Sequence, residues 1–149
     1  MMKLPIVATL FLLFTSLPAY CRIGETLAEL TARFGEGKKD TGKIRMVGHD
    51  QYYFEKDGIG VQCVISNDKC VMEVFHRLDT KITDQDIRDL LKVEADGHGW
   101  GFNPRTKRWT RSDNKLAAYR ELNHEDMFFL EDMATKKENE AVTKGKAGF

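Results

Sequence analysis

GVQCVISNDKCVMEVFH, residues 60–76, is the stretch that most strongly indicates the fold of this chain. Two runs rich in apolar and β-branched residues, Gly60–Ile65 and Cys70–His76, flank a short polar segment, which is typical of paired strands. Asn67 and Asp68 at its centre tolerate the positive φ that a tight two-residue turn requires. The stretch therefore predicts an antiparallel β-hairpin.

The turn also determines which residues of the hairpin share a face. A two-residue turn places Ile65 opposite Cys70 and Cys63 opposite Met72. One face then collects apolar side chains and the other polar ones, which is typical of an antiparallel sheet with one buried and one solvated face. The predicted buried face holds Val61, Cys63, Ile65, Cys70, Met72 and Val74, and the predicted solvated face holds Gln62, Lys69 and Glu73.

In this register Cys63 and Cys70 lie on one face but on a diagonal. Their backbones are then about 7–8 Å apart, beyond the usual ~5.5–6 Å of a disulfide, although strand twist can close the gap. Two interpretations stay open, a disulfide or two buried thiols that pack as small apolar groups. Two thiols alone are too few ligands for a metal ion, so the sequence predicts no metal site.

The N-terminal segment is set apart from the fold. Residues 1–21, MMKLPIVATLFLLFTSLPAYC, combine an early lysine, an apolar run over 4–17 that is shorter than a bilayer span of ~20 residues, and small residues at Ala19 and Cys21. This pattern predicts a signal peptide that is cleaved before Arg22, and export to the periplasm or the extracellular medium. A retained anchor and lipidation of Cys21 are the alternatives, and only they would attach the chain to a membrane.

The remaining chain has the length of one compact domain, predicted over 22–133. Residues 134–149 are rich in charge and lack a periodic apolar face, so they predict a disordered tail. Basic and acidic residues both number 23, so net charge indicates neither nucleic acid nor an acidic membrane as a partner. Since an exported protein rarely meets nucleic acid, none is expected.

Two segments carry the pattern of a capped helix start. Glu29 follows Thr26, and Asp86 follows Thr83, at the three-residue spacing of a capping box. Apolar residues recur at helical spacing after each cap, which predicts two short helices with one apolar face each. Helices of this length are not stable alone in water, so both are expected to lie on a sheet.

Further runs complete the predicted sheet, while the glycine-containing residues 94–107 predict a loop. The chain is therefore predicted to be α+β, with short helices packed on an antiparallel meander sheet and a helix-then-hairpins unit that occurs twice. SNDK at 66–69 and SDNK at 112–115 are interpreted chiefly as turns, with an ancient duplication as the alternative. The other predicted strands are Lys43–Val47, Gln51–Lys56, Trp109–Arg111, Leu116–Glu121 and Met127–Glu131.

Two aromatic segments supply the candidate binding residues. GHGWGF places Trp100 and Phe102 among glycines, where flexible backbone beside large rings suits recognition of a partner or a glycan. RTKRWTR places Arg108 and Arg111 around Trp109, which suits an acidic lipid or polysaccharide. The alternatives are that the rings fill the core and that the charges protect an edge strand from pairing.

No pattern indicates catalysis or a cofactor. The 4 histidines are scattered, without the spacing of a metal site. The sequence contains no nucleophile elbow and no phosphate-binding loop. We therefore expect no catalytic residue and no cofactor.

The residues that carry a family resemblance are Gly24, Thr26, Leu30, Phe34 and Gly35, followed by a polar gap and paired strands. Over 24–76 this order resembles the opening of SmpA/OmlA-type proteins, which include the small lipoprotein of the outer-membrane β-barrel assembly machinery. The resemblance implies a helix-plus-antiparallel-sheet fold, shared with β-lactamase-inhibitor-protein-like domains, and a cell-envelope location. RIGET at 22–26 and WTRSD at 109–113 also resemble a group of uncharacterised exported bacterial proteins.

These observations predict an exported, non-catalytic cell-envelope protein that acts as an adaptor by binding another envelope protein. The alternative is an inhibitor or immunity-like protein that occupies a target enzyme through its aromatic residues. An enzyme of unrecognised type is the third hypothesis, because active sites can be assembled from residues that are far apart in sequence.

Overall fold

The computed structural model of the protein describes residues 22–39, 41, 48–122 and 126–137. Two helices and a set of strands alternate along this part of the chain, and residues 133–137 are also helical. None of the helices in the described ranges is long and apolar enough to cross a membrane. The elements are α1 (Leu27–Phe34), β1 (Lys38–Lys39), β2 (Asp50–Lys56), β3 (Ile59–Ser66), β4 (Lys69–Arg77), α2 (Asp84–Val93), β5 (Trp100–Asn103), β6 (Arg108–Arg111), β7 (Leu116–Glu121) and β8 (Met127–Asp132).

The strands form one 8-stranded sheet in the order β1-β2-β3-β4-β8-β7-β6-β5. Every neighbouring pair is antiparallel, and β4 pairs with β8 at the centre. The strands form a sheet that is antiparallel throughout, and the helices are not interleaved between parallel strands. The fold is therefore α+β with an antiparallel sheet, as the sequence predicts. β1 and β5 lie at the two edges.

Both predicted capping boxes are present. The Thr26 hydroxyl accepts a hydrogen bond from the Glu29 N–H at 3.3 Å, and the Glu29 carboxylate accepts one from the Thr26 N–H at 2.8 Å. Thr83 and Asp86 make the same reciprocal pair at 3.1 and 2.8 Å. α1 ends at Gly35, whose φ of 90° a side chain would disfavour.

Two groups of contacts connect α2 to the sheet. Arg77 on β4 donates to both carboxylate oxygens of Asp86, at 3.1 and 2.6 Å. Arg120 on β7 donates to the carbonyl of Ile82 at 2.8 Å. A two-pronged arginine–carboxylate contact fixes orientation as well as distance, so the start of α2 has a defined position on the sheet.

The helices cover one face of the sheet, where the main core lies. This core joins the apolar residues of both helices to inward-facing strand residues, including Leu30, Phe54, Phe75, Leu90 and Phe128. The opposite face was expected to be solvated, and this expectation is wrong. It holds a second buried cluster of Val74, Met127 and Phe129, and Gln62 beside it is only 3% exposed.

A β-bulge corrects the predicted register of the central hairpin. Ser66 pairs with Lys69 and Ile65 with Cys70 as predicted, but the register then shifts, so that Val64 faces Met72 and Cys63 faces Glu73. A bulge adds one residue to one strand and therefore reverses the faces beyond it. Met72 and Val74 consequently lie on the second face, and Glu73 enters the main core.

The two similar tetrapeptides form different turns. Asn67 and Asp68 both have positive φ, 50° and 60°, as a type I′ hairpin turn requires. In the second tetrapeptide only Asn114 has positive φ, 56°, and its N–H donates to the Arg111 carbonyl at 2.8 Å. The likeness of the sequences therefore does not extend to the turn geometry.

One predicted loop contains a strand, and other predictions lie outside the described residues. The segment 94–107 was expected to be a loop, but it includes β5, which pairs with β6. In the predicted tail, residues 134–137 continue a helix and Lys136 contacts Glu131 at 3.0 Å, while 138–149 lie outside the described residues. The predicted strand Lys43–Val47 and the predicted signal peptide also lie outside them.

Candidate functional site: the β5–β6 hairpin and a buried thiol–carboxylate cluster

The sheet gathers all the candidate binding residues on one hairpin at its edge. β5 and β6 pair in a register that places Trp100 opposite Arg111, Phe102 opposite Trp109, and Asn103 opposite Arg108. Residues directly opposite one another in an antiparallel pair share a face. The aromatic rings therefore lie on the same face as the main core, and Arg108 lies on the other face.

Trp100 anchors the hairpin to α2. Its indole Nε1–H donates to the Leu91 carbonyl at 2.7 Å, and its half-buried ring packs against the main core. A carbonyl in the last turn of a helix lacks an intrahelical donor, so the indole satisfies a group that would otherwise need water. The structure thus gives Trp100 a structural contact rather than a free surface.

Arg111 is also occupied by internal contacts. It is 7% exposed, donates to both carboxylate oxygens of Asp113 at 2.8 Å, and donates to the Glu94 carbonyl at 3.0 Å. The hydrogen bonds from Arg111 hold the pKa of the Asp113 carboxyl well below its usual range. Arg111 therefore fixes the β6–β7 turn against the end of α2.

An aromatic row leads from the core to the surface of the hairpin. The Trp109 ring meets Phe128 edge-on at 5.8 Å between centroids, and Phe102 lies on the other side of Trp109 at 4.8 Å. Phe102 is 49% exposed. An open depression of about 550 Å³ beside it is lined by residues that include Gly99, Gly101 and Thr110. Phe102 is therefore the candidate residue whose ring is available to a partner.

The turn between the strands is basic. Arg105 and Lys107 are exposed, and Lys107 adopts a positive φ of 55°. Arg108 is half-buried, because its guanidinium lies over the Tyr119 ring at 4.8 Å on the opposite face of the sheet. The hairpin thus carries an exposed aromatic ring on one face and positive charge at its tip.

The two cysteines form part of a cluster in the main core. Cys63, Cys70 and Glu73 each have 0% exposure, and their sulfur and carboxylate atoms lie within 4.8 Å of one another. The Cys70 thiol donates to Glu73 Oε1 at 3.6 Å. Both sulfurs are thiols in this structure, and the disulfide stays a prediction.

Glu94 is a further buried carboxyl next to this cluster. It follows α2, is 3% exposed, and its Oε1 accepts no hydrogen bond. Burial raises the pKa of Glu94 to about 8, and the charge of Cys70 adds to the effect. The residue lines a cavity of about 250 Å³ together with others that include Arg22, Lys115 and Asp132.

Sequence reasoning missed the burial of both carboxyl groups, that of Glu73 in the cluster and that of Glu94 beside it. Glu73 was placed on the solvated face, because no residue in the hairpin signals the bulge that turns it inward. Glu94 directly follows a helix in a charged segment, where an exposed side chain is the usual outcome. The burial of Glu73 and of Glu94 does not follow from their neighbours in sequence. Information about contacts with residues that are distant in sequence would have been needed to predict it.

Comparison with known proteins adds little to this geometry. No family model matches the chain, and no curated protein matches it. Among solved structures, a cysteine-rich secretory protein from Staphylococcus aureus subsp. aureus Mu50 aligns with 12% identity and a TM-score of 0.43 over 76% of this chain. The aligned part of this chain spans 45% of that protein's length. A likeness of this size assigns neither a family nor an activity, and the resemblance to SmpA/OmlA-type proteins stays a prediction.

Proposed function

We propose that this chain is an exported, non-catalytic cell-envelope protein that binds another protein through its β5–β6 hairpin. The observation that carries the proposal is Phe102, a large aromatic residue that is 49% exposed on an edge strand. Exposed aromatic rings that are backed by packed neighbours are typical of residues that dominate protein interfaces. Trp109 supplies that backing, with its ring 4.8 Å from Phe102.

The position of β5 supports recognition by strand addition. β5 is the last strand in the sheet order, so among the described residues it has a strand partner on one side only. The backbone N–H and C=O groups on its outer side can pair with an extended segment of another protein. The Phe102 side chain would then lie next to side chains of the added strand and contact them.

The hairpin is also held in position before any partner binds. Trp100 ties β5 to α2, and Arg111 ties β6 to Asp113 and to the carbonyl of Glu94. A binding surface that is already ordered loses less conformational entropy on association. These internal contacts therefore favour binding although the residues themselves do not face the partner.

The charge of the turn indicates the kind of segment that would fit. Arg105 and Lys107 are exposed at the tip of the hairpin, so an acidic extended segment is the complementary partner.

We also infer that the helix-then-hairpins unit occurs twice, since α1 and α2 each precede a run of strands in chain order. A nucleic-acid partner is not part of the proposal, and membrane association would require lipidation of Cys21 or retention of the signal segment.

The experiment that tests the proposal is a crosslinking pulldown from the native envelope with wild type, Phe102→Ala and Leu78→Ala. Leu78 is a matched control, because it is an exposed apolar residue with nearly the same exposure, 47%, and lies outside the hairpin. Truncation of an interface aromatic typically costs at least ~1–2 kcal/mol, or roughly tenfold in affinity. We expect Phe102→Ala to lose the partner and Leu78→Ala to retain it.

The identity of the captured protein separates the two functional hypotheses. An envelope assembly component supports the adaptor, whereas a single soluble hydrolase whose activity falls on binding supports the inhibitor. Equal capture by both variants would refute the hairpin as the binding surface. Intact-mass measurement of the exported protein tests the export part separately, since Arg22 is expected at its N-terminus and a species that keeps residues 1–21 would contradict it.

A further inference from the structure

The thiol–carboxylate cluster in the main core is not used by the proposed binding surface. A glutamate that is fully buried in an otherwise apolar core is rare, because acidic side chains are mostly exposed. Cys63, Cys70 and Glu73 are fully buried, and their potential ligand atoms lie within 4.8 Å of one another. We propose that these three residues form a binding site for a borderline-soft divalent cation of the Zn²⁺ type.

The separations suit a small ion. A tetrahedral Zn²⁺ site has Zn–S distances of about 2.3 Å and Zn–O distances of about 2.0–2.2 Å, which place neighbouring ligand atoms roughly 3.5–3.8 Å apart. The Cys70 sulfur already lies 3.6 Å from Glu73 Oε1. Since all three atoms lie within 4.8 Å of one another, side-chain shifts of about 1 Å would close the cluster around one ion.

The ligand types decide the class of cation. Thiolates favour Zn²⁺ and softer ions, whereas Mg²⁺ and Ca²⁺ require an all-oxygen shell. Both thiols lose their protons when the ion binds, and these protons leave to solvent. Two thiolates and one carboxylate then place three negative charges around the ion, and a divalent cation offsets two of them.

Glu94 lies beside the cluster but is not one of the three residues whose ligand atoms lie within 4.8 Å of one another, so a water molecule is the expected fourth ligand. The Glu94 carboxyl lies close enough to Cys70 to be affected by its charge, and its buried Oε1 accepts no hydrogen bond. Glu94 also lines the cavity of about 250 Å³ beside the N-terminal segment of the described chain.

The bulge and the N-terminal segment position the residues of the site. The register shift after Ile65 turns Glu73 toward Cys63, which is its partner across the hairpin. The Gly24 N–H donates to the Cys70 carbonyl and the Cys70 N–H donates to the Glu25 carbonyl, each at 2.8 Å. An ion bound to Cys70 would therefore stabilise the attachment of residues 24–25 to β4.

The test is a titration of the reduced, full-length protein with Cd²⁺, which substitutes for Zn²⁺ and reports thiolate ligation by an ultraviolet charge-transfer band. We expect one Cd²⁺ per chain and loss of the band in Cys63→Ser. Glu73→Gln is expected to weaken binding by at least ~10-fold, because loss of a ligand should exceed the loss seen for supporting groups. Glu131→Gln is the matched control, since Glu131 lies on the neighbouring strand but faces the other side of the sheet.

The ¹¹³Cd chemical shift is measured on the wild-type complex, so this test does not require any variant to fold. A shift in the range of two sulfur ligands with oxygen supports the site. The proposal is overturned by the absence of a thiolate band or by unchanged affinity in Glu73→Gln. We also expect Zn²⁺, but not Mg²⁺, to raise the midpoint temperature of thermal unfolding, because a ligand that binds the folded state stabilises it.

Discussion

Replacement of Asp86 by asparagine removes one negative charge at the point where α2 meets the sheet. The Asp86 carboxylate accepts two hydrogen bonds from Arg77, at 3.1 and 2.6 Å, and one from the Thr83 N–H at 2.8 Å. Its residue exposure is 5%. Asparagine keeps the size of the side chain but replaces one acceptor oxygen by an NH2 group, so the change removes the charge and one hydrogen-bond acceptor.

The pKa of Asp86 gives the expected magnitude. Burial opposes ionisation of the carboxyl, but the hydrogen bonds from Arg77 and Thr83 outweigh it and lower the pKa from 3.8 to about 2. A carboxylate with a lowered folded pKa contributes stability above its unfolded pKa and loses it as the pH falls through the folded pKa. The shift corresponds to roughly 2.5 kcal/mol of unfolding free energy at pH 7 and about half of that at pH 3.

The assay is urea unfolding of wild type and Asp86→Asn at pH 7 and pH 3. We expect the variant to lose about 2–3 kcal/mol at pH 7 and a smaller amount at pH 3. Asp84→Asn is the control, since its side chain is 80% exposed in the same helical turn and its ion pair with Arg120 lies at the surface. Equal losses in the two variants, or a loss from Asp86→Asn that does not change with pH, would refute the reasoning.

Three smaller perturbations test other parts of the fold by the same unfolding assay. Gly60→Ala places a Cβ 2.4 Å from the His76 ring and should cost about 1–3 kcal/mol, so an unchanged midpoint would show that the ring can move away. Trp100→Phe removes the indole hydrogen bond to the Leu91 carbonyl and should cost about 1–2 kcal/mol, whereas no loss would remove the anchor argued for the hairpin. Asp68→Gly relieves a φ of 60° in the central turn and should stabilise the protein by about 0.5–1 kcal/mol, and a destabilised variant would contradict the turn type.

The features that sequence predicted well are those that depend on neighbouring residues. Thr26 and Thr83 predict their helix starts because each cap involves a partner only three residues away. Asn67 and Asp68 predict their hairpin because positive φ is a property of the residues themselves. Phe102 is among the candidate residues that the sequence predicts, and that role stays a prediction. The strand that carries it was taken for a loop, since its pairing with β6 is not visible in four residues alone.

The features that sequence missed depend on one inserted residue or on distant partners. The bulge on β4 changes the face of every residue beyond it, so a register that was correct at the turn became wrong two residues later. Glu73 thereby joins Cys63 and Cys70 in the core, where a pattern of alternating polarity predicted solvent. A carboxylate that is buried against its local pattern is more informative about function than one that follows the pattern, because local sequence rules are expected to fail at functional or strained sites. The same register shift that defeated the sequence prediction therefore points to the cluster as the part of the core to test for a bound ion.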